Sequence, residues 1–82
     1  MLIKVLAAET NLGSATNVGS ATVVRLLNNQ NSAAAVTRKD SGGTTIGSFT
    51  MAGNESAFVE KDPSDTLEGG ASILAAKVAY AN

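Results

Sequence analysis

Short apolar runs alternate with clusters of Gly, Asn and Ser at a spacing of about ten residues, which is typical of all-β domains. The apolar runs occupy residues 2–7, 21–28, 33–38, 44–51, 57–61 and 72–80. We therefore expect an all-β fold, a small β-sandwich or barrel of about six to seven antiparallel strands, forming a single β-rich domain over residues 1–82. For residues 8–20 the sequence fits either an ordered strand or a flexible arm.

Alternation within two of these runs predicts which side chains share a face. In the run of residues 21–28, Val24 and Leu26 lie on one face, and Arg25 marks the opposite, wetter face together with its neighbours Val23 and Leu27. In residues 72–80 one face holds Leu74, Ala76, Val78 and Tyr80, and Lys77 lies on the other. This last run predicts a strand inside a sheet, although its spacing also fits an amphipathic helix.

The segment around Pro63 is the one local motif that admits a functional interpretation. Four of the seven acidic residues lie between positions 60 and 68, and clustered oxygen ligands can bind calcium. The alternative is a helix start, with Asp62 as the N-cap, Pro63 at the first helical position and Asp65 at the third. Because a calcium loop needs alternating ligands and a central Gly, we predict a short helical turn near residues 63–68 that serves as a connector.

The chain lacks the residue types on which most catalytic and metal sites depend. It has no Cys and no His, so thiol chemistry, a His-assisted nucleophile and the usual zinc ligands are all excluded. The glycines occur in turn-like clusters and form no phosphate-binding pattern. We expect no catalytic residues, no cofactor and no metal, and we predict that the protein is not an enzyme.

Charge and hydropathy argue against two further classes of partner. The formal net charge is −1, and the six Lys and Arg residues are scattered, so no basic stripe indicates nucleic-acid binding. No stretch approaches the ~20 apolar residues that span a bilayer. Residues 1–8 briefly imitate a signal peptide, but Lys4 interrupts the apolar run and a strand fits better. The absence of Cys suits synthesis in a reducing cytoplasm.

Large hydrophobic side chains are few, which predicts a marginal monomer that gains from self-association or docking. The aromatic residues are Phe49, Phe58 and Tyr80, all in predicted strands. We expect them to be buried in the core. That expectation counts against a carbohydrate-binding module, which needs exposed aromatic platforms.

Four segments resemble a known group of proteins: ATVVRLLN at residues 21–28, TIGSFTM at 45–51, FVEKDPSDTL at 58–67 and AAKVAY at 75–80. Together they are similar to small virion structural proteins of tailed phages that infect marine cyanobacteria (cyanophages). The resemblance covers about three-quarters of the chain, and its motif is most specific between residues 60 and 67. It implies a place in the phage particle and assigns no catalytic or binding residue.

A place on the phage head predicts a capsid decoration (cement) protein that binds the outer surface of the head and stabilises it. The partner is then the major capsid protein or another virion protein. A homo-oligomer is expected, and a trimer would match the three-fold axes of a capsid. The protein would be made in the host cytoplasm and end in the virion. The alternatives are a tail, neck or fibre component, or a carbohydrate-binding or adhesion β-sandwich. Residues 8–20 are the first candidate for an intersubunit contact.

Overall fold

The computed structural model describes residues 2–81, which form eight antiparallel strands in two sheets and no helix. The strands are β1 (Leu2–Val5), β2 (Thr10–Leu12), β3 (Val23–Asn28), β4 (Ala34–Lys39), β5 (Thr45–Met51), β6 (Ser56–Glu60), β7 (Thr66–Glu68) and β8 (Gly70–Ala81). The all-β prediction is confirmed. Six strands coincide with the predicted runs, and the two additional ones are β2 and β7. The described residues include no helix that could cross a membrane.

The larger sheet is built around β8, in the order β1-β8-β3-β6. One side of β8 pairs with β3. On its other side β1 pairs with the last residues of β8 and β2 with the first, so that two short strands share one edge. The final run is therefore a strand flanked on both sides, as its alternation predicts.

The smaller sheet has the order β5-β4-β7. A tight turn at residues 40–44 joins β4 to β5, and the Asp40 carboxylate accepts the backbone N–H groups of Gly42 and Thr44 at 2.9 and 3.0 Å. Gly43 has φ +89, which glycine adopts without a steric penalty. The hairpin predicted at this Asp-Ser-Gly-Gly sequence is confirmed.

The two sheets pack face to face over one core, as in a sandwich. Val24 and Leu26 of β3 and Ile73 of β8 are fully buried against Val36 and Met51 of the smaller sheet. Leu12, Val18, Ala21, Leu67 and Ala75 complete this buried cluster. The predicted division of β3 is confirmed, because its other face carries Val23, Arg25 and Leu27 away from the core.

The predicted helical turn near residues 63–68 is wrong. Asp62 to Asp65 form a β-turn with Pro63 and Ser64 in its centre, and the Asp65 N–H donates to the Asp62 carbonyl at 3.0 Å. The Asp65 carboxylate accepts the Asp62 N–H at 3.1 Å, which is half of a helix capping box. Beyond the turn the backbone groups pair with β4 and form β7, so the chain continues as a strand.

Residues 8–20 are ordered and close one side of the sandwich. Leu12 and Val18 are buried in the core, and Thr16 exchanges backbone hydrogen bonds with Leu67 at 2.9 and 3.1 Å. Val18, Gly19 and Ser20 have φ of +53, +64 and +58, which makes a left-handed turn. A β-branched residue pays a steric cost in this conformation, and the burial of Val18 offsets it.

Candidate binding surfaces

The face of the five-stranded sheet that points away from the core, here called the outer face, is largely apolar. Residues opposite each other in an antiparallel pair share a face, so the register assigns this surface directly. Its principal apolar members are Val5, Leu27, Phe58, Leu74, Val78 and Tyr80. Two charged residues, Arg25 and Glu60, lie among them.

Both faces of β3 and β8 are therefore apolar, although the smaller sheet covers only one of them. An antiparallel strand with one solvated face normally alternates apolar and polar residues. Instead, Val23, Ala76 and Val78 form a second buried cluster on the outer face, and Ile3 packs against it. Strands that are apolar on both faces are typical of sheets that are covered on both sides.

The aromatic residues are not in the core, which corrects the expectation from sequence. Phe49, Phe58 and Tyr80 are 40%, 40% and 50% exposed. Phe58 lies on the edge strand β6 and Tyr80 near the end of β8, both on the outer face, which the smaller sheet does not cover. The core is filled instead by Leu, Ile, Val, Ala and Met side chains.

The side of the sandwich opposite residues 8–20 is open. It lies between β5 and β6, which are the outermost strands of their sheets on that side. An apolar cleft of about 240 Å³ enters the core there, and Val36, Phe49, Val59 and Leu67 line it together with Gly47. It is smaller than the ~300–1,000 Å³ of a typical small-molecule pocket.

Charged side chains meet at one end of the sandwich, where β4 approaches the Asp62–Asp65 turn. Arg38 donates to the buried Asp65 carboxylate from Nε at 2.9 Å and from a terminal nitrogen at 2.5 Å. Asp62 lies 3.8 Å from the same guanidinium. The buried Lys61 ammonium donates to the carbonyls of Ala21 at 2.7 Å and Asp62 at 3.2 Å.

These contacts shift the pKa values of two side chains, Asp65 and Lys61. The hydrogen bonds from Arg38 lower the pKa of Asp65 below its ordinary value, so the carboxylate stays charged. Burial lowers the pKa of Lys61, although the nearby Asp65 carboxylate opposes that effect. The cluster joins β4 to the connector between β6 and β7, and its chemistry is that of a structural ion pair.

The acidic segment does not assemble a cation site within residues 2–81. No group of three or more His, Cys, Asp or Glu side chains in this part of the chain is placed to hold a metal ion. The Asp65 carboxylate is engaged by Arg38, and Glu68 pairs with Lys39 at 2.6 Å. The calcium interpretation therefore gains no support from the geometry.

The sequence indicated no catalytic, cofactor or metal residues, and the structure adds two candidate binding surfaces: the outer face and the open β5–β6 side. Residues 23–27 and 73–79 are apolar at successive positions, interrupted only by Arg25 and Lys77, and this was the available signal for the outer face. A scan against protein-family models and searches of curated proteins and of solved structures found nothing that matches this chain.

Proposed function

We propose that this protein is a non-catalytic virion structural protein, a capsid decoration (cement) protein that docks through the outer face onto the head of a phage. The observation that carries the docking role is the apolar outer face. The phage location rests on the sequence resemblance of residues 21–80. Both observations favour a protein that acts by binding another protein and that has no catalytic centre.

The composition of the outer face suits contact with another protein. Exposed Phe58 and Tyr80 provide large apolar area, and Arg25 sits among apolar neighbours in the centre of the sheet. Aromatic residues and Arg are enriched in protein interfaces, and Lys and Glu are depleted. On a capsid many copies bind side by side, so modest affinity for each subunit is sufficient.

The first experiment is quantitative mass spectrometry of purified particles of the phage that encodes the chain, with copy number measured against the major capsid protein. Hundreds of copies per particle support a decoration protein. A dozen or fewer would move the protein to the tail, neck or fibres. Absence from the particle would contradict the virion proposal.

A second experiment tests the outer face itself. Purified protein is co-sedimented with heads that lack it, with Val5→Lys and Phe58→Lys as the variants. Both side chains are at least 40% exposed, so the fold should persist while binding falls. Ala35→Lys is the matched control, because it puts the same charge at an exposed strand position of the other sheet. Equal binding by all three variants would reject the outer face as the docking surface.

The exposed aromatics favour one second candidate, a carbohydrate-binding or adhesion module. Phe58 and Tyr80 share the outer face, and aromatic faces are the usual platform for sugar rings. Binding of the purified protein to immobilised host-surface glycans, lost in Phe58→Ala and Tyr80→Ala, would replace the decoration proposal with this one.

A further inference from the structure

Strand β5 is an unprotected sheet edge. Its outer side pairs with nothing in the described residues, and the side chains of residues 45–50 are all exposed. Edge strands usually carry charges or Pro that prevent further pairing. Strands β1, β6 and β7 carry Lys4, Glu60 and Glu68, and the edge strand β2 has only three residues. Strand β5, in contrast, has seven residues, Thr-Ile-Gly-Ser-Phe-Thr-Met, with neither charge nor Pro.

The sequence of β5 is complementary to itself in one antiparallel register. When Ser48 faces Ser48 of a second copy, Gly47 lies opposite Phe49, and Ile46 lies opposite Thr50. An aromatic ring opposite an edge glycine covers the space that the missing side chain leaves. We propose that β5 pairs with β5 of a second copy about a two-fold axis at Ser48.

The open cleft gives this register a second contact. Gly47 lies on the wall of the cleft, and a Cβ built there meets no atom within 4 Å. Phe49 of the second copy, directly opposite Gly47, therefore sits at the mouth of the apolar cleft. The two-fold axis makes the arrangement reciprocal, so each copy covers the cleft of the other.

A second copy fits this edge better than a strand of unrelated sequence because the complementarity lies within β5 itself. Pairing joins the two three-stranded sheets into one continuous sheet and satisfies the free backbone groups of both edges. The interface is one strand pair, which is small, so we expect a reversible dimer of micromolar to millimolar affinity. This proposal does not depend on the phage location or on the outer face.

Single-cysteine variants test the register directly, since the chain has no Cys of its own. In Ser48→Cys the two thiols face each other with Cβ atoms about 4.5–5.5 Å apart, within the range of a disulfide after small adjustment. In the control Thr50→Cys, on the same strand and face, the Cα atoms lie about 14 Å apart, beyond the reach of a disulfide. Mild oxidation should cross-link the first variant and leave the second monomeric, measured by non-reducing electrophoresis.

Sedimentation velocity provides an independent test. The unchanged protein should pass from monomer to dimer as its concentration rises. Ser48→Lys and Ser48→Asp should each remain monomeric, because like charges meet on the axis, and an equimolar mixture should dimerise again. Equal cross-linking of both cysteine variants, or an unchanged protein that stays monomeric at millimolar concentration, would overturn the proposal. Binding of Ser48→Lys to phage heads, measured separately, shows whether the outer face acts without the dimer.

Discussion

Individual residues hold distant segments of the chain together by contacts that depend on tertiary structure. Asp65 is the clearest case, since its carboxylate is buried and accepts hydrogen bonds from Arg38 and from the Asp62 N–H. Sequence alone placed Asp65 at the third position of a helix. The partner 27 residues away, Arg38, is invisible to that local analysis.

The Asp65 contact predicts a dependence of stability on pH. Its pKa is lowered in the folded state, so its contribution is fully present above the ordinary value of 3.8 and is lost as the pH falls through the folded pKa. Asp65→Asn should lower the free energy of unfolding at pH 7 and flatten its decline in acid, measured by urea denaturation. Glu9→Gln, at an exposed position, should leave the decline intact. If the free energy of unfolding declines in acid equally in Asp65→Asn and in the unchanged protein, the assignment of that decline to Asp65 is contradicted.

The left-handed turn predicts opposite effects at two adjacent residues. Gly19→Ala puts a Cβ at φ +64 and should destabilise the fold by about 1–2 kcal/mol. Ser20→Gly releases the strain at φ +58 and should stabilise it by up to about 1 kcal/mol, after the greater freedom of Gly in the unfolded chain is subtracted. Ser20→Ala keeps the strain and is the control. Thermal and chemical denaturation measure all three, and stabilisation by Gly19→Ala would refute the strain argument.

At the scale of elements, β3 is a strand with two apolar faces and two different roles. Its inner face belongs to the core, and its outer face belongs to the surface that we propose to dock. Alternation assigned the residues to faces correctly, because a period of two is a property of the backbone. Arg25 also marked the face that the smaller sheet leaves uncovered, although that face is otherwise largely apolar.

Neighbouring leucines of β3 separate these roles. Leu26→Ala leaves a cavity between the sheets and should cost about 2–5 kcal/mol of stability. Leu27→Ala opens no closed cavity, since its side chain is only half-buried, and should cost at most about 1–2 kcal/mol. Binding of the protein to phage heads should fall in Leu27→Ala. Similar losses of stability in both variants, measured by urea denaturation, would mean that the outer face is already covered in the monomer.

On the scale of the whole molecule, one side of the sandwich is closed by residues 8–20 and the other is open. Deleting residues 8–20 would remove the buried Leu12 and Val18, so such a variant would test folding and not the intersubunit contact expected of this segment. The intersubunit contact expected of this segment stays a prediction, and self-pairing at the β5 edge is a separate proposal. Self-pairing at β5 and docking through the outer face use different sheets and can operate together.

Docking predicts a change in the stability of the whole domain. A partner that binds only the folded state stabilises that state by about 2.7 kcal/mol when its free concentration is one hundred times Kd. Protein bound to phage heads should therefore resist protease about 100-fold longer than free protein when cleavage requires global unfolding. Phe58→Lys should lose this protection and Ala35→Lys should keep it. Equal proteolysis of free and head-associated protein would contradict docking of the folded domain.

The sequence by itself determined the all-β class, six of the eight strands, the β4–β5 hairpin and the division of faces in β3 and β8. These follow from backbone periodicity and turn chemistry, which are local. Tertiary structure alone decided that residues 66–68 form a strand, that residues 8–20 pack into the core, and that the aromatics stay at the surface. Each of these depends on which distant segment supplies hydrogen bonds or covers a face, and a local pattern carries no information about that partner.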